Sequence, residues 1–315
     1  MRKGPSAGAA LFFAKVLLGG GRMDLRAIGM GLVFALMWSS AFTSARMIVA
    51  DAPPITALAL RFLISGLIGI AIAALIGQTA RLSRPQWRAT VIFGICQNAL
   101  YLGFYFIAMQ RIEAGLAAIT ASTMPLIVAL AGWLIFRERL RPLAIAGLLA
   151  GFGGVVVIMA GHLTAGVDVP GLVLCFLGVT ALAFATLSLR GAAAGGGNLM
   201  LVVGLQMLVG AGVLAVWAAI AEWPQGIAVN WTPRLFAAFA YTTLVPGLAA
   251  TWVWFLLVGP IGAVRAATFH FLNPFFGVLI AALLLGERLG VWDAVGVAIV
   301  AAGILAVQVS RSKAT

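Results

Sequence analysis

The chain has 315 residues, of which 63% are hydrophobic and only 9% are charged, and its mean hydropathy is +1.13. Soluble domains carry about 25% charged residues, so this composition excludes an ordinary soluble domain and indicates a membrane protein. The net charge is +12, but the basic residues lie in short segments between apolar runs, which favours membrane topology and contact with anionic lipid over nucleic-acid binding.

Residues 1–26 are predicted to form a basic cytoplasmic tail, whose short apolar stretch is interrupted by Lys15. Whether Met1 or Met23 is the natural start stays open. Ten apolar runs follow, each near the length of about 20 residues that a membrane-spanning helix needs. They lie at 27–49, 55–77, 89–109, 114–136, 143–160, 170–189, 199–221, 235–257, 263–285 and 291–309. Because lipid offers no partner to free backbone groups, we predict helices rather than strands.

A repeat relates the stretch from Ala263 to Gly296 to the stretch from Ala114 to Gly147, which lies 149 positions earlier, without a gap. It pairs Pro274 with Pro125, Glu287 with Glu138, Arg288 with Arg139, Leu289 with Leu140, Gly296 with Gly147 and, further out, Gly303 with Gly154. Each half of the chain holds five predicted spans, an odd number, so the second half is expected to be inverted. We therefore predict an all-α polytopic membrane protein with ten transmembrane helices in two inverted five-helix repeats. The repeats cover 27–160 and 170–309, with a linker at 161–169 and a cytoplasmic tail at 310–315.

The Lys and Arg residues predict the orientation of the chain in the membrane. If the N-terminus is cytoplasmic, the cytoplasmic segments hold 14 of these residues and the outer loops hold three. Cytoplasmic loops of membrane proteins carry an excess of Lys and Arg. We therefore expect a multi-pass protein of the bacterial inner membrane with both termini in the cytoplasm.

Three prolines, Pro125, Pro246 and Pro274, are each the twelfth residue of a predicted span. A proline inside a helix removes the hydrogen bond to the carbonyl group four residues before it. The freed carbonyls would belong to Ala121, Thr242 and His270. In lipid such groups must face protein or a watery cavity, so paired broken helices predict a substrate site near the middle of the bilayer. The alternative is a packing kink without a ligand.

Polar and aromatic side chains inside the predicted spans are the candidates for lining this site. Polar residues at this depth are rare and mark pathways, and flat rings with a few hydrogen-bonding groups suit an amphipathic solute. The candidates are Trp38, Ser39, Ser40, Gln97, Asn98, Tyr101, Tyr105, Pro125, Tyr241, Trp252, Trp254, His270, Asn273 and Pro274. We place the site between spans one, three, four, eight and nine. The alternative for each residue is a plain packing role.

Charged residues near the spans have more than one interpretation. Arg46, Arg61 and Arg265 lie within spans and are candidates to hold a substrate carboxylate. The alternatives are that they snorkel to the interface or, for Arg46 and Arg61, that they pair with Asp51. Glu138 and Glu287 sit between two spans and are expected to be structural hinge residues, stabilising the following helix or pairing with the neighbouring arginine. No metal-binding spacing or nucleotide motif is present, so we expect neither a metal nor a cofactor.

These features together resemble the drug/metabolite transporter superfamily, in its ten-span EamA-type family. The resemblance covers residues 27–310 and rests on Trp-Ser-Ser at 38–40, Arg-Phe at 61–62, the breaks at Pro125 and Pro274, Glu-Arg-Leu at 138–140 and 287–289, and the glycines at 147 and 296. It implies a central cavity, alternating access and transport, often export, of amino acids or related metabolites. Arg137 departs from the family's usual glycine, present here as Gly286, and puts the flexibility of the first hinge in doubt.

We therefore predict a secondary transporter, not an enzyme, that exports amino acids or similar small amphipathic metabolites. Its expected partners are a small-molecule substrate and the lipid bilayer, with no nucleic acid. A membrane-embedded enzyme acting on a lipid or lipid-linked substrate and a non-transporting scaffold are the alternatives. The substrate, the direction, the coupling ion and the oligomeric state, a homodimer included, stay open at this point.

Overall fold

The computed structural model of the chain describes residues 25–78, 82–137, 140–164, 166, 168–188, 198–261, 269–287 and 290–312. These ranges contain helices, turns and short connections, and no strand lies within them. Eight of the described helices are long and apolar enough to cross a membrane, and two further apolar helices, Pro142–Ile158 and Asn273–Leu285, are shorter. The chain is an all-helical, multi-pass membrane protein.

The helices follow the predicted apolar runs closely. The first half contains α1 (Leu25–Asp51), α2 (Pro54–Leu75), α3 (Arg84–Phe93), a first π-helix (Gly94–Tyr101), α4 (Leu102–Ala108), α5 (Ala114–Ser122), α6 (Met124–Phe136) and α7 (Pro142–Thr164). The second half contains α8 (Val169–Ser188), α9 (Leu199–Ala221), a 3₁₀ turn (Trp223–Gln225), α10 (Pro233–Thr242), a second π-helix (Thr243–Ala249), α11 (Ala250–Ile261), a 3₁₀ turn (Phe269–Leu272), α12 (Asn273–Leu285) and α13 (Val291–Ser312).

The interruptions predicted from the prolines are present. The run at 114–136 breaks between α5 and α6, with Pro125 in the first turn of α6. Pro274 lies in the first turn of α12, after the 3₁₀ turn. Pro246 is inside the second π-helix, whose wider turn accommodates a residue without a backbone N–H. The early part of the run at 263–285, with Arg265, lies outside the described residues, as does Glu138.

Positions 149 apart in the sequence begin the same structural elements in both halves. Helix α3 begins after the N-cap Ser83, whose side chain accepts a hydrogen bond from the Gln86 N–H at 3.4 Å. Helix α10 begins after Thr232, which accepts from the Leu235 N–H at 3.0 Å. The two π-helices begin at 94 and 243, and α6 and α12 cover 124–136 and 273–285. The local structure therefore follows the sequence repeat.

Two helix pairs pack most extensively, α7 with α13 and α2 with α9. Glycines allow the backbones of α7 and α13 to approach closely. A Cβ added at Gly147 would lie 2.7 Å from the Gly303 carbonyl oxygen, and one added at Gly154 would lie 2.9 Å from the Gly296 carbonyl oxygen. Since small residues let helix backbones approach, these glycines fix the contact of α7 with α13.

Both helices α6 and α12 end on a residue in the left-handed region. Arg137 has φ 53° and ψ 31°, and Gly286 has φ 69° and ψ 22°. Only glycine adopts this conformation without strain, because a Cβ crowds the neighbouring carbonyl. The arginine that departs from the expected glycine thus keeps the glycine's backbone conformation.

The glycine contact predicts a difference between two substitutions on α7. Gly147→Ala should lower the free energy of unfolding by about 1–3 kcal/mol, because its Cβ meets backbone atoms that cannot yield. Gly153→Ala is the matched control, since a Cβ at Gly153 meets nothing within 4 Å. Alanine favours helix there, and the change should stay within about 1 kcal/mol in the stabilising direction. Thermal unfolding of both variants in one detergent measures the difference, and equal effects would refute the close contact.

The left-handed ends predict opposite effects of two further substitutions. Arg137→Gly should raise the unfolding free energy by about 0.5–1 kcal/mol, because relief of strain exceeds the added entropy of the unfolded chain. Gly286→Ala should lower it by about 1 kcal/mol or more for the converse reason. Chemical or thermal denaturation reports both, and a destabilised Arg137→Gly variant would contradict the strain argument.

Candidate functional site

A cavity of about 500 Å³ lies among the helices of both halves. Its lining comes from α1, α3 and the first π-helix, α5, α6, α8, α9, α11, the 3₁₀ turn before α12 and the first residue of α12. No described residue of α7 or α13 reaches it, which agrees with their packing role. The cavity extends to Gln86 and Asn198, two half-buried residues at one end of the bundle. We call this the Gln86 end and the opposite one the Asp51 end.

Aromatic rings form one wall of the cavity. Phe34 lies 4.9 Å from Trp254 and 5.7 Å from Trp38 between ring centroids. His270 meets Phe34 edge-on at 5.1 Å, Trp38 edge-on at 6.0 Å and Trp254 at 5.3 Å. Such a cluster offers flat apolar contact with one polar ring. We call these four residues the aromatic cluster.

Three polar side chains, Ser39, Asn273 and His270, are linked next to this cluster. The Ser39 hydroxyl donates to Asn273 Oδ1 at 3.4 Å, and Asn273 Nδ2 lies 3.0 Å from His270 Nδ1. With Nδ2 donating, the imidazole is in the tautomer that keeps its proton on Nε2. Asn273 begins α12 immediately before Pro274, so the chain break places this amide at the cavity. Polar groups in the bundle are thus satisfied by one another near the predicted interruption.

A smaller chamber of about 90 Å³ adjoins the main cavity. The two share lining residues from four elements, namely Trp38, Phe42, Gln97, Tyr101, Gln206 and Thr251. Arg61, Asn98 and Tyr105 line only the chamber, and Asn98 Nδ2 donates to the Gln206 carbonyl at 2.9 Å. We call this space the inner chamber. It extends the cavity toward the Asp51 end, where Met109 closes it.

Most residues predicted from the sequence are brought together. Those that line the main cavity, the inner chamber or both are Trp38, Gln97, Asn98, Tyr101, Tyr105, Pro125, Trp254, His270, Asn273 and Arg61. Ser39 is fully buried and reaches the site through Asn273.

Other predicted residues lie away from both spaces. Trp252 is 49% exposed on the outside of α11, because Thr251 and Trp254 lie three apart and face the cavity while Trp252 lies about 100° around the helix. Ser40 and Tyr241 bond to each other at 2.8 Å without lining the cavity. Pro274 is buried behind it. The sequence predicted that these four residues, Trp252, Ser40, Tyr241 and Pro274, line the cavity, and the structure places all four outside its lining.

Two of the charged residues singled out in the sequence form hydrogen bonds with backbone groups. Arg46 donates to the Met109 carbonyl rather than facing a substrate. Glu287 accepts hydrogen bonds from the backbone N–H groups of Ala114 at 2.7 Å and Gly115 at 2.8 Å, at the first turn of α5. It therefore stabilises a helix start in the other half of the chain. The neighbouring Arg288 lies outside the described residues.

Several lining residues were missed by the sequence analysis. Gln206 faces both spaces from α9, and Asn198 and Thr186 add α9 and α8 to the five predicted spans. The signal for Gln206 was present, since it is a lone polar residue in the middle of an apolar run. The sequence carried no such signal for Phe34, because an apolar ring in an apolar helix looks the same as a residue that only packs.

The Asp51 end of the bundle is closed by hydrogen bonds between the two halves. Asp51 accepts from Asn230 Nδ2 and from the Thr232 hydroxyl, each at 3.0 Å, and its carbonyl accepts from the Asn230 N–H at 2.8 Å. Glu222 accepts from the N–H groups of Ile55 and Thr56, each at 2.8 Å. The described groups of the two halves are therefore joined by several hydrogen bonds at the Asp51 end.

Comparison with known proteins identifies relatives over nearly the whole chain. The EamA-like transporter family matches residues 25–160 and 169–308. The uncharacterized transporter YvbV of Bacillus subtilis is 24% identical, with 89% of this chain and 90% of that protein covered. The uncharacterized inner membrane transporter YedA of Escherichia coli K12 is 28% identical, with 86% and 88% covered.

Two further relatives are more limited in what they show. The aromatic amino acid exporter YddG of Ancylobacter novellus is 33% identical over 129 residues, which cover 41% of this chain and 44% of that protein. A solved crystal structure at 22% identity superposes with a TM-score of 0.64 over 93% of this chain and 100% of its own, which shows a shared fold. Since the family match covers both halves and its relatives are transporters, the chain belongs to the EamA-like transporter family.

Proposed function

We propose that this transporter exports amino acids or related small amphipathic metabolites across the inner membrane by alternating access. The observation that carries the proposal is the cavity of about 500 Å³, lined by rings and amides, which reaches the Gln86 end, while hydrogen bonds join the two halves at the Asp51 end. This volume is within the range of small-molecule sites. The family match gives no support to the membrane-embedded enzyme that the sequence left as an alternative.

We further propose a ten-span architecture of two inverted five-helix repeats. Element starts 149 positions apart support it, as does the reciprocity of the α7–α13 contact. Gly147 contacts Gly303, and Gly154 contacts Gly296. Adding 149 to the two positions on α7, 147 and 154, gives the two positions on α13, 296 and 303. A contact that maps onto itself under exchange of the halves is what a two-fold axis between them produces.

The proposed orientation places the Gln86 end in the cytoplasm together with both termini. The excess of Lys and Arg in the segments on that side supports it. In this orientation the cavity faces inward, ready to take a solute from the cytoplasm. Export then requires the hydrogen bonds at the Asp51 end to open while the Gln86 end closes.

The wall chemistry favours a solute with a ring or another flat apolar group. The aromatic cluster offers stacking and edge contacts, and the Ser39–Asn273–His270 chain offers a few hydrogen bonds beside it. The name of the Ancylobacter relative, an aromatic amino acid exporter, agrees with such a solute. We therefore propose aromatic amino acids as the first compounds to test.

Two tryptophans on α11 provide a matched test. Trp254→Ala removes a ring from the cavity, and we expect the apparent affinity for labelled phenylalanine to fall about tenfold, the equivalent of about 1.4 kcal/mol. Trp252→Ala removes the same side chain from the outer surface of the helix and should leave transport near wild type. Uptake into inverted vesicles with and without a pH gradient measures both. Unchanged transport by the Trp254→Ala variant, at an equal protein level, would contradict the proposed substrate site.

A reversible cross-link tests alternating access. In a Cys96→Ala/Cys175→Ala background, an Asp51→Cys/Asn230→Cys disulfide should hold the Asp51 end closed and stop transport, and reductant should restore it. With Ser122→Cys in the cavity, an impermeant thiol reagent added from the cytoplasmic side should still label the cross-linked protein. Each single cysteine is the control. Transport that continues through the cross-linked form, or labelling from the outer side alone, would contradict the proposal.

A further inference from the structure

Arg61 is a buried cation that faces an open space. It is 6% exposed, lines the inner chamber, and its Nε has no hydrogen-bond partner. Its guanidinium carbon lies 4.9 Å from the Phe62 ring centroid, a contact with an aromatic face. No carboxylate among the described residues forms an ion pair with Arg61.

The surroundings of Arg61 leave the guanidinium accessible from the chamber. Gly247 stands opposite, and a Cβ added there would lie 3.7 Å from Arg61 Nη2 and 3.2 Å from the Thr242 carbonyl oxygen. The nearby Ser65 hydroxyl donates to the Thr243 carbonyl at 3.5 Å. The remaining polar side chains of the chamber are neutral, namely the amides of Gln97, Asn98 and Gln206, the hydroxyls of Tyr101, Tyr105 and Thr251, and the indole of Trp38. The positive charge is therefore not offset by the described protein groups around it.

An isolated buried charge is strongly unfavourable, and such residues inside membrane proteins mark ligand or ion pathways. Guanidinium groups bind carboxylates through a planar pair of N–H donors. We infer that Arg61 holds an anion in the inner chamber, either the carboxylate of the transported solute or a small inorganic anion such as chloride. As a carboxylate subsite, this inference rests on the proposed transport function.

The shape of the two spaces favours a carboxylate attached to a larger apolar group. A volume of about 90 Å³ admits a carboxylate or a halide but no ring system. The chamber joins the main cavity through shared residues such as Trp38 and Gln97, so one molecule can reach both spaces. Of the two predicted arginines in the described residues, Arg46 is bonded to a backbone carbonyl, and Arg61 is the one that lines the chamber.

Thermal unfolding of the purified full-length protein, titrated with sodium acetate or with sodium chloride, tests the inference. Acetate near tenfold saturation should raise the midpoint of the wild type by about 3 °C and leave Arg61→Gln unchanged apart from the general salt effect. Arg61→Lys keeps the charge without the planar donor pair and should show a smaller rise. Arg111→Gln is the matched control, since it removes a positive charge elsewhere and should retain the full rise.

The outcomes separate the two anion sources. A rise with acetate that chloride does not reproduce identifies a carboxylate subsite, and equal rises with both identify an inorganic anion. An equal rise in the wild type, Arg61→Gln and Arg61→Lys, or no rise in the wild type, overturns the inference. Trp254→Ala should retain the acetate-dependent rise while transport falls. A protein that moves no amino acid yet keeps an Arg61-dependent rise would refute the proposed function and leave the anion site standing.

Discussion

The need to satisfy backbone groups in lipid decides where this chain can be irregular. A spanning helix bonds its own N–H and carbonyl groups, and any break leaves some of them free. The breaks here lie where the helices face the cavity: the first π-helix contributes Gln97 and Tyr101, the α5–α6 break contributes Ser122 and Pro125, and the 3₁₀ turn contributes His270. The polar backbone and the polar side chains are therefore gathered in one place, and that place is the site.

The same constraint couples the two halves at their helix ends. The first N–H groups of a helix have no partner inside it, and here carboxylates and amides of the other half supply one. Glu287 serves α5, Glu222 serves α2, and at the Gln86 end Gln78 Oε1 accepts from the Leu201 N–H of α9 at 2.9 Å. In the proposed alternating-access cycle, a motion that separates the halves at one end would exchange these bonds for bonds to water. The helix caps are thus the interactions that this proposed cycle would make and break.

The sequence was enough to predict the elements that depend on the length of an apolar run or on the position of a proline. It located the helices within a few residues and the interruptions at Pro125, Pro246 and Pro274. It gave no sign of the first π-helix, which contains no proline, and it placed Trp252 on the wrong face of α11. Trp252 lies about 100° around α11 from Thr251, and the residue type alone does not distinguish its ring from that of Trp254. The packing of α8 around the cavity also left no signal in the sequence, whereas Gln206 of α9 did.

The repeat also explains why the inner chamber has a charge on one side. Helices α2 and α9 begin at Pro54 and Leu199, 145 positions apart, whereas the elements from α3 onward repeat close to 149 positions apart. At the spacing of 145 positions the counterpart of Arg61 is Gln206, and both residues line the inner chamber. The two halves therefore place polar residues at equivalent positions, but the charged one occurs once. A duplicated fold supplies a symmetric framework, and a solute with one charged end needs an asymmetric site. A glutamine in one half where the other has an arginine provides that asymmetry.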